Sequence, residues 1–177
     1  MSHTSLEHKH EAPRSLTFAV VTISTSKYER SRRGFEVDDL SGDLIVKFLE
    51  GAGHRISSRF LIPDDPEKIA ATIEKIIENE QINAIVTTGG TGIARSDVTI
   101  EVVRRLLEKE LQGFGEALRR ISYERIGSAA ILTRAIAGVK RGKAIFCLPG
   151  SPNAVETALH NLIIPEAPHI VKHAMEA

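Results

Sequence analysis

Between Thr87 and Thr99 the chain reads Thr-Thr-Gly-Gly-Thr-Gly-Ile-Ala-Arg-Ser-Asp-Val-Thr. Gly89, Gly90 and Gly92 let a backbone turn sharply and approach a ligand closely. Successive N–H groups in such a turn make a concavity for an anion, and the hydroxyls of Thr88 and Thr91 add donors. The plainer reading is a tight strand-to-helix turn with Asp97 or Thr99 as N-cap. No Gly-Lys-Ser/Thr follows, so this is not a nucleotide P-loop, and Arg95 stands where a dinucleotide fingerprint needs a third small residue. A second segment, Leu148-Pro149-Gly150-Ser151-Pro152-Asn153-Ala154, again ends a strand in a glycine turn. Ser151 can cap the helix that follows and Pro152 suits its first position; the alternative is a second anion cradle at a helix N-terminus. A third, Asp38-Asp39-Leu40-Ser41-Gly42, opens a helix, and capping by Asp39 or Ser41 accounts for it.

Two carboxylates stand out. Asp64 and Asp97 each follow a strand of what is expected to be one sheet, so both can reach the same edge. Mg²⁺ takes one or two protein carboxylates together with phosphate oxygens. Against this, Asp64 suits a Pro-Asp turn and Asp97 a cap. The segment Lys27–Arg33 holds four cations against one Glu; if it folds over the sheet edge, its charges face the same anion. His169 and His173, four apart, share a helix face, but with no third ligand in view they carry no metal reading. His3, His8 and His10 read as part of a solvated tail. Cys147, the single cysteine, lies in Ala-Ile-Phe-Cys-Leu and reads as a buried strand residue.

These residues need a scaffold, and the hydrophobic pattern supplies one. Leu16–Ser24, Ile56–Ile62 and Ile82–Thr88 read as strands, the first apolar enough to be buried on both faces. Thr25–Val37 reads as a polar loop. Helical stripes follow at Leu40–Gly51, from Pro66 through Ile77, at Thr99–Glu108 and at Phe114–Ile126. Ala129–Val139 and Lys143–Leu148 read as two strands joined antiparallel through the short turn Lys140-Arg141-Gly142. From Pro152 onward the chain is predicted helical, with interruptions at Pro165 and Pro168. Strands alternating with amphipathic helices predict a three-layer α/β/α sandwich with a mostly parallel, mixed sheet. Residues 1–15 are predicted to be a disordered tail and residues 16–177 one domain.

The totals set bounds. The chain has 177 residues, with 23 Lys and Arg against 23 Asp and Glu. Zero net charge argues against a general nucleic-acid or membrane binder, and with no Trp and two Tyr, base-stacking platforms are scarce. One cysteine excludes an internal disulfide framework. The polar N-terminus lacks the apolar region of a signal peptide and no stretch is long enough to span a bilayer, so a cytoplasmic protein is expected.

Taken together, TTGGTG with its following Arg-x-Asp-Val-Thr, LPGSPNA, DLSG and GFGEALRRIS at Gly113–Ser122 resemble the MoaB/Mog family of molybdenum-cofactor biosynthesis proteins, from about Leu16 to the C-terminus. The resemblance implies a trimer, sometimes paired into a hexamer, that binds molybdopterin, an anionic pterin dithiolene ending in a phosphate. Active members resemble adenylyltransferases: with Mg²⁺ and ATP they make adenylyl-molybdopterin and pyrophosphate, for later insertion of molybdate or tungstate by a molybdenum insertase. Carried over by motif, Thr88, Gly89, Gly90, Thr91 and Gly92 cradle phosphate. Asp64 and Asp97 match the catalytic acidic positions and the Mg²⁺ ligands. Asp39, Ser41 and Gly42, with Pro149, Gly150 and Ser151, belong to the substrate pocket. The rival readings are a carrier that holds the pterin without adenylylating it and a CinA-like nucleotide pyrophosphatase.

Overall fold

Alternation along β1 (Thr17–Ile23) explains the layering. Phe18 and Val20 point to one side, where they meet Ile45, Leu49, Phe114, Leu118, Val155, Leu159 and Val171. Ala19, Val21 and Ile23 point to the other, against Ile69, Ile73, Ile76, Ile100 and Val103. A strand buried on both faces must lie inside a sheet covered on both sides. The computed structural model, which describes residues 13–176, has that form. The sheet runs β2 (Arg55–Ile62), β1, β3 (Ala84–Thr88), β6 (Lys143–Leu148), β5 (Ile136–Lys140), β4 (Lys109–Glu110). Strands β2, β1, β3 and β6 are mutually parallel; β5 and β4 continue the sheet antiparallel. Each fully buried Ile, Leu or Phe in these layers stabilises the fold by roughly 1.5–3 kcal/mol.

The helices are α1 (Thr25–Arg32), α2 (Leu40–Gly51), α3 (Pro66–Glu78), α4 (Thr99–Leu106), α5 (Gln112–Ile126), α6 (Pro152–Ala158) and α7 (Ile164–Met175). Helices α3 and α4 cover one face; α2, α5, α6 and α7 cover the other. The turn at Arg141 and Gly142 joins β5 to β6 with both residues at positive φ (+46° and +73°), the twist a two-residue hairpin needs.

Three sequence expectations are corrected. Thr25–Arg32 is a helix, not a loop. It buries no residue, so it shows no apolar stripe to read, and it is fixed by the Ser24 cap and by Lys68 over the Tyr28 ring (5.4 Å). Ala129–Val139 is not one strand: Gly127–Leu132 is a 3₁₀ turn, and β5 begins at Ile136. The apolar run misled because Ile131 and Leu132 point outward. The chain is also not broken at Pro165 and Pro168. It stays helical through a π turn, Leu159–Ile163, into α7, and Pro165 falls directly after that turn, where the hydrogen-bond ladder is already irregular. The short strand β4 has no counterpart in the pattern. The predicted tail lies, through residue 12, outside the described residues, as do His3, His8 and His10.

Candidate active site

The C-terminal ends of β2, β1, β3 and β6 lie side by side, where open α/β sheets receive ligands. The loop after β3 carries Gly89 and Gly90 at positive φ (+101° and +62°). A Cβ on Gly89 would lie 2.2 Å from the Ile23 carbonyl oxygen, so only glycine fits where the loop crosses β1. The N–H of Gly89 is spent on Leu148 O (3.1 Å), while those of Gly90, Thr91 and Gly92 meet no acceptor among the described residues. Free donors in succession at a helix entrance are what an anion needs.

The two glycine turns are tied together. Thr88 Oγ1 donates to Pro149 O (2.9 Å), so its proton is committed to bracing one turn against the other. Ser41 Oγ donates to Gly150 O at 2.8 Å, drawing in the third segment. Ser151 caps α6 through Ala154 N–H (3.3 Å), and Asp39 caps α2 through Gly42 N–H (3.3 Å), as their positions predicted. Asp39 also accepts from Thr22 Oγ1 (2.6 Å), Lys27 Nζ (3.3 Å) and Arg59 Nη2 (3.3 Å). Burial pushes its carboxyl up, but the Thr22, Gly42 and Lys27 contacts outweigh burial and hold it below the ordinary value. Of the cations in Lys27–Arg33, Lys27 is committed to Asp39, Arg30 lies over the Phe35 ring (6.0 Å), and Arg32 and Arg33 are exposed.

Asp64 and Asp97 stand on either side of this loop. A Cβ on Gly90 would lie 2.7 Å from Asp64 Oδ1, and one on Gly92 would lie 2.6 Å from Asp97 Oδ2. Neither carboxylate is a helix cap. Asp65 caps α3 through the N–H groups of Glu67 and Lys68 (both 3.0 Å), and the residue before α4 is Val98. Asp97 Oδ2 instead accepts from Ala94 N–H (2.8 Å) and closes its own loop. Asp64 Oδ2 accepts from both the N–H and the hydroxyl of Thr25, each at 2.8 Å, and Asp64 N–H donates back to Thr25 Oγ1 at 3.0 Å.

Sequence reasoning missed two participants, Thr25 and Arg134, and read a third, Thr99, only as a possible cap. Thr25 was hidden in an assumed loop. Thr99 is fully buried with Oγ1 lacking a partner, and that oxygen would sit 2.4 Å from a Cβ on Gly90. Arg134, inside the run read as a strand, donates from Nη1 to Gly92 O (2.6 Å) and from Nη2 to Glu101. A groove of about 430 Å³ beside Pro149 and Ser151 is lined by Arg125, Asn153 and Thr157 together with the apolar Ile126, Ala129 and Leu132.

The sequence profile described as "Probable molybdopterin binding domain" matches residues 19–169. The chain belongs to the MoaB/Mog family. The "Probable molybdopterin adenylyltransferase" of Methanocaldococcus jannaschii is 44% identical over 167 residues, spanning 94% of this chain and 99% of that one. "Molybdenum cofactor biosynthesis protein B" of Bacillus subtilis is 44% identical over 167 residues, 94% of each chain. The crystal structure of the tungsten cofactor synthesizing protein MoaB from Pyrococcus furiosus superimposes with a TM-score of 0.82 at 41% identity, covering 93% of this chain and 100% of that chain. The fold expected from the MoaB/Mog resemblance is therefore the fold observed. No helix among the described residues is long and apolar enough to cross a membrane.

Proposed function

We propose that this chain makes adenylyl-molybdopterin, acting in molybdenum or tungsten cofactor biosynthesis. The observation that carries the reading is the pair Asp64 and Asp97 flanking one glycine loop with unspent N–H groups. Family membership supplies the substrates: molybdopterin and ATP. The terminal phosphate oxygen of molybdopterin attacks the α-phosphorus of ATP. The new P–O bond forms as the bond to the β-phosphate bridging oxygen breaks, and pyrophosphate leaves with that electron pair. Such transfers depend on positioning and charge stabilisation rather than on covalent help from the protein.

Gly90, Thr91 and Gly92 hold a phosphate through backbone N–H groups. Pro149, Gly150 and Ser151 border the pterin side. Asp39, Ser41 and Gly42 brace that wall, since their polar atoms are engaged with the scaffold. Thr88 does the same between the two turns. Two carboxylates, with no third joining them among the described residues, suit a hard cation whose coordination is completed by phosphate oxygens and water. Asp64 and Asp97 would hold Mg²⁺, which would neutralise charge on the transferring phosphates. The orphan Thr99 hydroxyl beneath Gly90 is a further donor available when the loop closes on a phosphate.

The test is Asp64→Asn and Asp97→Asn, assayed with molybdopterin and Mg-ATP. Asparagine keeps an oxygen for the Thr25 and Ala94 hydrogen bonds, so the loop retains its shape. Pyrophosphate release should fall about 100-fold or more, with a much smaller change in pterin affinity. Unchanged release from both variants would refute the assignment. The family also leads us to propose a cytoplasmic trimer or hexamer that passes its product to the molybdenum insertase. The exposed side chains Tyr123, Ile126, Ile131 and Leu132 supply an apolar band for contact between copies, and light scattering reads the oligomer.

A further inference from the structure

We propose that His169 and His173, on α7, form a binding site for a late first-row divalent cation such as Zn²⁺, Ni²⁺ or Cu²⁺. Their spacing places both rings on one helix face, and the structure shows how closely the two rings approach. The two Nε2 atoms share a hydrogen bond at 2.8 Å, in which one nitrogen carries the proton that a bound ion would displace. Two nitrogens on one ion at about 2.1 Å each stand about 3.0–3.4 Å apart, so a side-chain adjustment of a few tenths of an ångström admits the ion.

The backing is the second observation. His173 Nδ1 lies 2.8 Å from Glu176 Oε2, and His169 Nδ1 lies 3.6 Å from Glu166 Oε2. The Glu176 contact holds a proton on His173 Nδ1 and turns Nε2 toward the ion, the arrangement that supports histidine ligands, while Glu166 stands behind His169 beyond hydrogen-bond distance. Both rings border an open recess of about 390 Å³ that also includes Glu108 and Lys109. Among the described residues no three His, Cys, Asp or Glu side chains gather around one point. The ion therefore keeps water in its remaining positions. Imidazole pairs select late first-row ions over Mg²⁺, which prefers oxygen. The recess lies by β4 and β5, on the far side of the sheet order from β1 and β2, so the site does not depend on the adenylyltransferase reading.

The experiment is a Zn²⁺ titration of chelator-treated full-length protein, followed by calorimetry and by NMR of the imidazole ring protons. It is done in a background where His3, His8 and His10 are glutamine, so that the tail does not compete. One saturating ion per chain is expected, with the His169 and His173 resonances moving in step with saturation. His169→Gln and His173→Gln should each weaken binding about tenfold or more, and Glu176→Gln by a smaller factor. The proposal is overturned if Zn²⁺ leaves both resonances unmoved, or if binding persists undiminished in the two histidine variants. The resonance readout uses the unsubstituted pair, so a variant that fails to fold does not rescue the idea.

Discussion

At the scale of single residues, the feature with most consequence is Thr25. Its N–H and hydroxyl grip one oxygen of Asp64, leaving the other oxygen beside Gly90. A carboxylate held at two points has little freedom to rotate, and positioning of that kind is what phosphoryl-type transfer rewards. Thr25→Val keeps the size and the N–H contact but removes the hydroxyl. We expect kcat to fall about tenfold with the pterin KM little changed, and Thr25→Ser to restore kcat. A purely structural role would instead lower stability in proportion to activity, which urea denaturation of the same variants measures. The placement of Asp64 and Asp97 at one sheet edge was legible in the sequence because each follows an apolar strand, whereas a catalytic role for them was suggested only by the family motifs. Thr25 was not legible, since a threonine in a polar stretch matches every solvated loop. Cys147 was legible too: burial pushes its thiol up to about 12, as an inert strand residue should be.

At the scale of elements, the glycine loop is a flexible segment made definite by its neighbours. Thr99 N–H donates to Gly90 O (3.0 Å), fixing the loop to the start of α4. Arg134 then bridges Gly92 O to Glu101 of α4. Burial pushes the Glu101 carboxyl up, but the Arg134 hydrogen bond, its own backbone N–H and the charges of Arg134 and Arg104 together outweigh this and keep it below the ordinary value. Arg134→Met should cost about 1 kcal/mol of stability, because the pair is partly solvated. It should raise the KM for both substrates more than it lowers kcat, and steady-state kinetics with a melting curve checks both. The elements divide by legibility in the same way. Helix α3, with Ile69, Ile73, Ile76 and Ile77 on one stripe and Pro66 at its start, could be read directly. Helix α1 could not, because it is held by a cap, a carboxylate and an aromatic contact rather than by an apolar face. The run before β5 failed for the opposite reason: its apolar residues are not core.

At the scale of the whole molecule, the sheet has a stability that depends on pH through a residue far from the site. His54 sits against Phe18, with ring centroids 5.2 Å apart, and its Nδ1 accepts from Leu16 N–H at 3.2 Å. Burial pushes its pKa down, so the folded state holds it neutral with the proton on Nε2. The unfolded chain protonates His54 near the ordinary value of about 6.5, and the folded chain only at lower pH. In that window the unfolded state binds more protons, so this contribution is complete above it and is lost as pH falls through it. The urea midpoint should therefore decline between pH 7 and pH 5, and His54→Asn should flatten that decline.

The braces at the strand ends join parts of the chain that are made far apart in time. Ser41 is fastened to Gly150 across 109 positions, and Thr88 to Pro149 across 61. Closing contacts over such separations is slow, because the loop entropy is lost before the contact forms. A nascent chain that has emerged only as far as β6 has its glycine loop, tied to Leu148, Thr99 and Arg134, but lacks the Pro149 and Gly150 carbonyls that Thr88 and Ser41 fasten to. The two turns are thus braced together only when the segment after β6 has been made. Once that segment is in place, bound nucleotide should slow amide exchange at the ends of β1, β3 and β6 together, as one cooperative unit.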